Sequence, residues 1–366
     1  MSYIGNKPTA VPLTSADLED NIISTAKIQD NAVTAAKYVE APSFRNLIIN
    51  GDMSIAQRGT SVSSITSSGY RTMDRWYFNT DLGTWTMSQE TDVPTGQGFA
   101  KSLKLDCTTA NASPSAGNFL VLEQKIEGQM LQQLKKGTSN AESLTLSFWV
   151  KSSKTGTYIA ELFDNDNSRQ ISQAYTINSA STWEKKTLTF AGDTTGTLNN
   201  DNGLSLTLAL WLGGGSTWTS GTLNTSWNSN TNANRAVGVV NLADNTANNF
   251  YITGVQLEVG TSASDFEFLP YDVNLQRCKR YYMKLGNTTN DYSFGRVDGT
   301  NFTYGIWGTV LPTTMRATPS GTLQVDDSNS GFSSISLAQL TTDSVAVDAT
   351  SASWSDIGTV EVSAEL

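Results

Sequence analysis

The residues best suited to chemistry lie between 211 and 230. Trp211-Leu212-Gly213-Gly214-Gly215-Ser216-Thr217-Trp218 is followed by Thr225-Ser226-Trp227-Asn228-Ser229-Asn230. Indole faces stack on sugar rings, while amides and hydroxyls read sugar OH groups. Trp211, Trp218, Trp227 and Asn228 are therefore a candidate carbohydrate-binding set. A competing reading, which we favour, has these tryptophans closing one end of a sandwich or a subunit interface, where large aromatics contribute most to burial. Alternation along the strand sends its leucines inward and puts Trp211 on the opposite face. Further on, Tyr292, Phe302, Tyr304 and Trp307 stand near Arg296, Asp298 and Asn301. Tyr304 and Trp307 are candidate sugar contacts there, although the alternation of Phe302, Tyr304 and Ile306 favours core packing. Asp164-Asn165-Asp166-Asn167 offers oxygen ligands of the kind calcium prefers, with Asp164 and Asp166 as the candidate metal ligands. It lacks the spaced carboxylates and distal Glu of a calcium loop, so a plain turn is the favoured reading.

Other chemistry is excluded by what is missing. There is no His in the 366 residues, which removes Ser-His-Asp and Cys-His catalysis and His-ligated zinc. The Gly213-Gly214-Gly215 run has no following Lys-Ser/Thr and no strand-to-helix context, so it is no phosphate cradle. Glycoside hydrolysis needs two carboxylates about 5 to 10 Å apart across a cleft. No such pair stands out among 34 acidic residues. The expectation is a protein that is not an enzyme and takes no cofactor beyond a structural calcium. A net charge of −10 without Lys/Arg runs argues against nucleic acid as a partner. The first thirty residues carry no signal-peptide pattern, and no apolar stretch approaches the length needed to span a bilayer. We expect synthesis in a cytoplasm and no membrane insertion. Cys107 and Cys278 are the only cysteines, which makes a disulfide framework implausible and core filling the simpler role.

The elements that must position such residues are strands. Charged residues make up 16% of the chain, against roughly a quarter in average proteins. Ser, Thr, Asn and Gly fill the space between apolar positions and suit pleated surfaces and turns. Length alone suggests two or three domains. Residues 1–44 hold Pro8, Pro12 and Pro42 and a repeat at a period of ten, in which Asp20-Asn21-Ile22-Ile23-Ser24-Thr25-Ala26-Lys27 matches Asp30-Asn31-Ala32-Val33-Thr34-Ala35-Ala36-Lys37. A small repeated unit is stable only when packed on copies of itself, which predicts an oligomeric neck and a homotrimer.

From about 45 to 270 the pattern alternates at period two, clearest at Leu144, Leu146, Phe148 and Val150 and at Leu204, Leu206, Leu208, Leu210 and Leu212. The strand count suits a two-sheet sandwich. In the run Phe250, Ile252, Val255, Leu257, Val259, the phase changes at Gly254, as a bulge requires. Two short helices are predicted. One covers Ile126 to Lys136 and is stopped by Gly137; the other runs from an Asp272 cap to about Tyr282 as a rigid connector. Residues 285–366 return to short strands, a second and smaller β domain.

Two stretches also carry a family resemblance. Arg45-Asn46-Leu47-Ile48-Ile49-Asn50-Gly51-Asp52-Met53-Ser54-Ile55-Ala56-Gln57-Arg58-Gly59 and Tyr70-Arg71-Thr72-Met73-Asp74-Arg75-Trp76 resemble the opening of a jelly-roll, carbohydrate-binding-like module of bacteriophage tail-fibre and minor structural proteins. Leu146-Ser147-Phe148-Trp149-Val150-Lys151, Ile252 to Gly260, Asn274 to Tyr282, Leu311 to Pro319 and Val362 to Leu366 extend the resemblance over about residues 45–366. The start, Met1-Ser2-Tyr3-Ile4-Gly5-Asn6-Lys7-Pro8, resembles openings of tail proteins of marine bacteriophages, with Tyr3, Ile4 and Pro8 as candidate anchoring residues.

This resemblance implies a mainly β homotrimeric appendage in three parts. Residues 1–44 would form an extended particle anchor and neck, docking on a tail adaptor or other virion protein. Residues 45–270 would form the jelly-roll sandwich, and 271–366 a connecting helix with a distal, receptor-binding β domain. It implies residence in the virion and a host-surface glycan or outer-membrane receptor as partner. The alternatives are a capsid head fibre or decoration protein and a polysaccharide depolymerase.

Overall fold

Alternation is realised where the sequence shows it most clearly. Leu144, Leu146, Phe148 and Val150 are all buried, as are Leu206, Leu208, Leu210 and Leu212, because a strand sends successive side chains to opposite faces. A computed structural model describes residues 44–286, 295–297, 305–324, 332–351, 355–357 and 359–366. The neck repeat and the anchoring residues Tyr3, Ile4 and Pro8 lie outside the described residues.

In chain order the sandwich strands are β1 (Ser61–Ile65), β2 (Gly69–Tyr70), β3 (Tyr77–Thr80), β4 (Thr84–Glu90), β5 (Ser102–Thr109), β6 (Phe119–Glu127), β7 (Leu144–Ser152), β8 (Gly156–Asp164), β9 (Arg169–Ile177), β10 (Glu184–Phe190), β11 (Leu204–Gly214), β12 (Asn228–Ser229) and β13 (Asn249–Val259). They form two antiparallel sheets, β1-β4-β5-β13-β7-β10 and β12-β9-β8-β11-β6-β3-β2. One continuous apolar core lies between them, from Trp76, Phe78 and Trp85 to Phe148, Tyr158 and Phe250. The chain is mainly β, as its composition predicts.

Gly254 sits where β13 changes register against β7, between Thr253 and Gln256, with φ +63. The predicted bulge is present. An added Cβ there would stand 2.5 Å from the Phe99 ring, so this position needs glycine for both its backbone angle and its close contact.

The helix predicted over Ile126 to Lys136 is replaced by the end of β6 and two 3₁₀ turns, Gly128–Met130 and Gln132–Leu134. Ile126 is held in the sheet opposite Leu206. Gly128 presses against a carbonyl, its missing Cβ falling 2.1 Å from the Asn199 oxygen, so this position needs glycine. Gly137 does take the left-handed conformation, at φ +84.

After β11 the chain makes a one-turn helix, α1 (Ser216–Thr219), and lays residues up to about 240 over the outer face of the second sheet. Val121, Ile159, Ala209 and Trp211 are buried beneath Ala236, Trp218, Leu223 and Val239. That face is closed.

The connector helix α2 spans Tyr271–Lys279, shorter than predicted, and Asp272 lies in its first turn without capping it. It ends early because Tyr282 already belongs to β14 (Tyr282–Gly286). Cys278 and Tyr281 pack on Ile49 and Ile55, which fixes α2 against the start of the sandwich. Both cysteines are buried and free.

Later strands are β15 (Gly295–Val297), β16 (Gly305–Val310), β17 (Ser320–Gln324), β18 (Phe332–Leu340), β19 (Ser344–Ser351), β20 (Ser355–Ile357) and β21 (Thr359–Ser363), pairing as β14-β21-β17, β15-β20 and β16-β19-β18. They enclose a separate core of Met283, Leu311, Met315, Val345, Val347, Val360 and Val362. No helix among the described residues is long and apolar enough to cross a membrane.

Candidate carbohydrate-binding face

The alternation that buries Leu146, Phe148 and Val150 turns Ser147, Trp149 and Lys151 outward on β7. Trp149 lies opposite Thr253 of β13 and Lys185 of β10, and Lys151 lies opposite Tyr251. Trp183 meets Tyr251 edge to face at 6.2 Å, so Trp149, Tyr251 and Trp183 place three half-exposed aromatic rings on the outer face of the first sheet.

Charged groups hold these rings in place. The Trp183 indole donates to Asp92 Oδ1 at 3.0 Å, and Lys151 Nζ donates to the other Asp92 oxygen. Lys151 Nζ also lies 4.3 Å from the Tyr251 centroid and 5.4 Å from that of Trp183, cation–π contacts that orient both. Partial burial pushes the Asp92 carboxyl up, but the Lys151 and Trp183 donors outweigh it and hold the group below its ordinary value. Lys104, 3.2 Å from Asp106, extends the charged rim.

Beside Trp149 the face deepens into a pocket of about 360 Å³. Trp149, Phe99, Phe266 and Phe268 give it apolar walls, while Gln97, Ser147, Lys185 and Asp265 supply polar groups. The three phenyl rings support one another with centroids 4.9 to 5.1 Å apart, and Phe268 is 52% exposed. Gly254 leaves room for the tip of the Phe99 ring, which ties the bulge to the pocket. A wide aromatic floor with a few amide, hydroxyl and charged groups can stack on sugar rings and read their hydroxyls.

The sequence-flagged residues lie elsewhere. Trp211 is 2% exposed on the closed face of the second sheet, and its indole donates to the buried Glu161 at 2.8 Å. Arg235 grips the same carboxylate with two hydrogen bonds of 2.8 and 3.0 Å. Trp218 packs 5.5 Å from Trp211 and donates to Gly117 O. Trp227 packs on the main core and donates to Ala191 O, and the exposed Asn228 turns back on Ser226. Trp211 is therefore out of reach of a ligand, and all three indole N–H groups already have protein partners.

Asp164 and Asp166 also have partners. Asp164 accepts from Lys136 and Asn167, and Asp166 accepts from Asn199 N and Nδ2. An ammonium stands where the calcium reading would put a metal ion. No group of three His, Cys, Asp or Glu suited to a metal is found among the described residues. Tyr304 and the Trp307 side chain lie outside the described residues.

Trp149, Trp183, Tyr251 and the phenylalanine trio were missed in the sequence. For Trp149 the signal was present, since the outward phase of β7 follows from its inward leucines. For Trp183 and Phe266 no local pattern marks a site.

No family model matches the sequence, and no curated protein matches it. Among solved structures, the enzymatically active domain of bacteriophage CBA120 tailspike protein 4 aligns over 59% of this chain at 15% identity and a TM-score of 0.31. The alignment spans 21% of that tailspike. A CBM4 structure aligns over 57% of this chain and 97% of its own, at 12% identity and a TM-score of 0.31. TmCBM61 in complex with beta-1,4-galactotriose aligns over 59% of this chain and 99% of its own, at 10% identity and a TM-score of 0.29.

Proposed function

We propose that this chain is a non-enzymatic subunit of a bacteriophage tail fibre that recognises host-surface glycan through the outer face of the first sheet. In this reading residues 1–44 anchor it to the particle, 45–270 carry the recognition face, and 271–366 form the distal part. The observation that carries the glycan assignment is the placement of Trp149, Tyr251 and Trp183 on one open face beside a pocket with amide, hydroxyl and charged groups. The tail-fibre assignment is supported by the resemblance of the Arg45 to Gly59 and Tyr70 to Trp76 segments.

Binding is favoured over cleavage because Asp265 is the single carboxylate lining that pocket, while on the adjoining face Asp92 is tied to Lys151 and Trp183 and Asp106 to Lys104, and glycoside hydrolysis takes two carboxylates facing one cleft. The test is binding of the purified chain to host-surface polysaccharide. Trp149→Ala removes apolar contact worth roughly 1.5 kcal/mol or more, so affinity is expected to fall about tenfold or further. Unchanged affinity in the variant, or shortened glycan after incubation with the wild-type chain, would overturn the reading.

The neck repeat supports a homotrimer, because repeats of this size gain buried area only between chains. Light scattering of the full chain is expected to give three times the monomer mass; a monomer at micromolar concentration would remove this part.

A further inference from the structure

A buried Lys-Asp-Asp cluster lies at the end of the sandwich, away from the recognition face. Lys136, just past the turn Gln132–Leu134, reaches Asp164 at the end of β8 and Asp193 after β10. Its Nζ lies 2.5 Å from Asp164 Oδ2 and 2.9 Å from Asp193 Oδ2. The three side chains are 5%, 0% and 3% exposed. Thr195 O and Gly196 O, each 3.0 Å away, fix Nζ from the other side, and the Trp227 ring stands 5.2 Å from it.

Each carboxylate has a distinct setting. Asp193 is gripped by Arg169 Nε and Nη2 at 2.7 and 3.0 Å and accepts from Thr195 N, which keeps it an anion, and its Oδ2, 2.9 Å from Nζ, is the acceptor within reach of the Lys136 proton. Asp164 instead accepts from Asn167 N at 3.0 Å and Asn167 Nδ2 at 2.9 Å, two donors placed to stabilise charge growing on its oxygens.

We propose that Lys136 and Asp164 condense into an intramolecular amide, with Asp193 moving the proton. Within the close pair, the ammonium passes a proton to the Asp164 carboxylate, giving a neutral amine and a carboxylic acid. Nζ then attacks Cγ to form the C–N bond, and its surplus proton goes to Asp193. Asp193 delivers that proton to the departing hydroxyl as the C–O bond breaks. One water leaves, and no oxidant or other reactant is consumed. The reaction removes one positive and one negative charge from a site where ions are costly to keep. Fixed geometry supplies an effective concentration on the order of 10⁵ M or more, and exclusion of water opposes the reverse step. The product would staple the loop after β6 to the β8–β9 hairpin, a covalent brace suited to an appendage under load.

The test is the intact mass of the purified full chain under denaturing conditions, with peptide mapping. The wild type is expected to be lighter than its sequence by one water, with a cross-linked peptide pair containing Lys136 and Asp164. Lys136→Arg is expected to show full mass. Asp164→Asn is expected to cross-link with loss of ammonia in place of water. In Asp193→Ala the cross-link should be lost, and in Asp193→Glu it should be restored. Full sequence mass in the wild type would overturn the proposal and leave the cluster as an ion pair only, as would a cross-linked Asp193→Ala.

Discussion

Asp74 shows how one buried side chain can set the pH response of this fold. It is fully buried, accepts from Gln57 N at 3.0 Å, and has Arg58 Nη1 at 3.8 Å. Gln57 in turn donates to Tyr282 O at 2.9 Å. Burial outweighs these donors and raises the carboxyl from 3.8 to about 6. The folded state thus binds the Asp74 proton more tightly than the unfolded state, so this group's contribution is present below pH 4 and lost as pH rises through about 6. Relative to Asp74→Asn, the wild type is expected to gain about 1 kcal/mol of stability between pH 7 and pH 5. Urea unfolding of both proteins at the two pH values measures it, and an identical pH dependence would refute the role given to Asp74. The same scale explains why the site was only partly legible in the sequence. Trp211 and Trp149 both face away from leucine-lined strand faces, and alternation alone treats them alike. What separates them is the covering segment up to about 240, a long-range contact with no local signature.

Among elements, legibility followed how many neighbours a residue pattern must satisfy. β7, β11 and β13 could be read because burial on one face imposes period two, and the Gly254 bulge because the phase breaks there. The helix expected over Ile126 to Lys136 could not, since Ile126, Met130, Leu131 and Leu134 match helical spacing equally well when a strand end and two 3₁₀ turns bury them separately. Leu131 and Leu134 do reach the core, but through turns that begin at Gly128, pressed against Asn199, and end at Lys135 in a left-handed conformation at φ 48. α2 was placed correctly but overrun at its C-terminus, because pairing of Tyr282 with Ser363 competes with helix continuation. That partner lies 81 residues along the chain, beyond any window that periodicity can read.

On the scale of the molecule, the two apolar cores are joined by charge. Glu365, just after β21, pairs with Arg75 and, at 3.2 Å, with Arg58. Arg75 is 1% exposed, donates to Lys125 O, and lies with its guanidinium 3.5 Å from the Tyr281 ring centroid. Arg316 adds 2.8 Å bonds to both Ala364 O and Asn202 O. None of this was visible in the sequence, where Arg58, Arg75 and Glu365 belong to stretches far apart. Removing one partner of a buried pair leaves the other charge uncompensated, at a cost of about 3 kcal/mol or more. Glu365→Ala should therefore strand Arg75 between the sandwich and the core built on Met283, Val345 and Val360. Arg75 is buried in the sandwich and Glu365 follows β21, so the loss should fall on the contact that joins the two cores. In calorimetry the variant is expected to begin unfolding below the wild-type temperature, with the smaller core separating before the sandwich melts. A single transition at the wild-type temperature would mean that apolar contact, and not the Arg75–Glu365 pair, holds the two cores together.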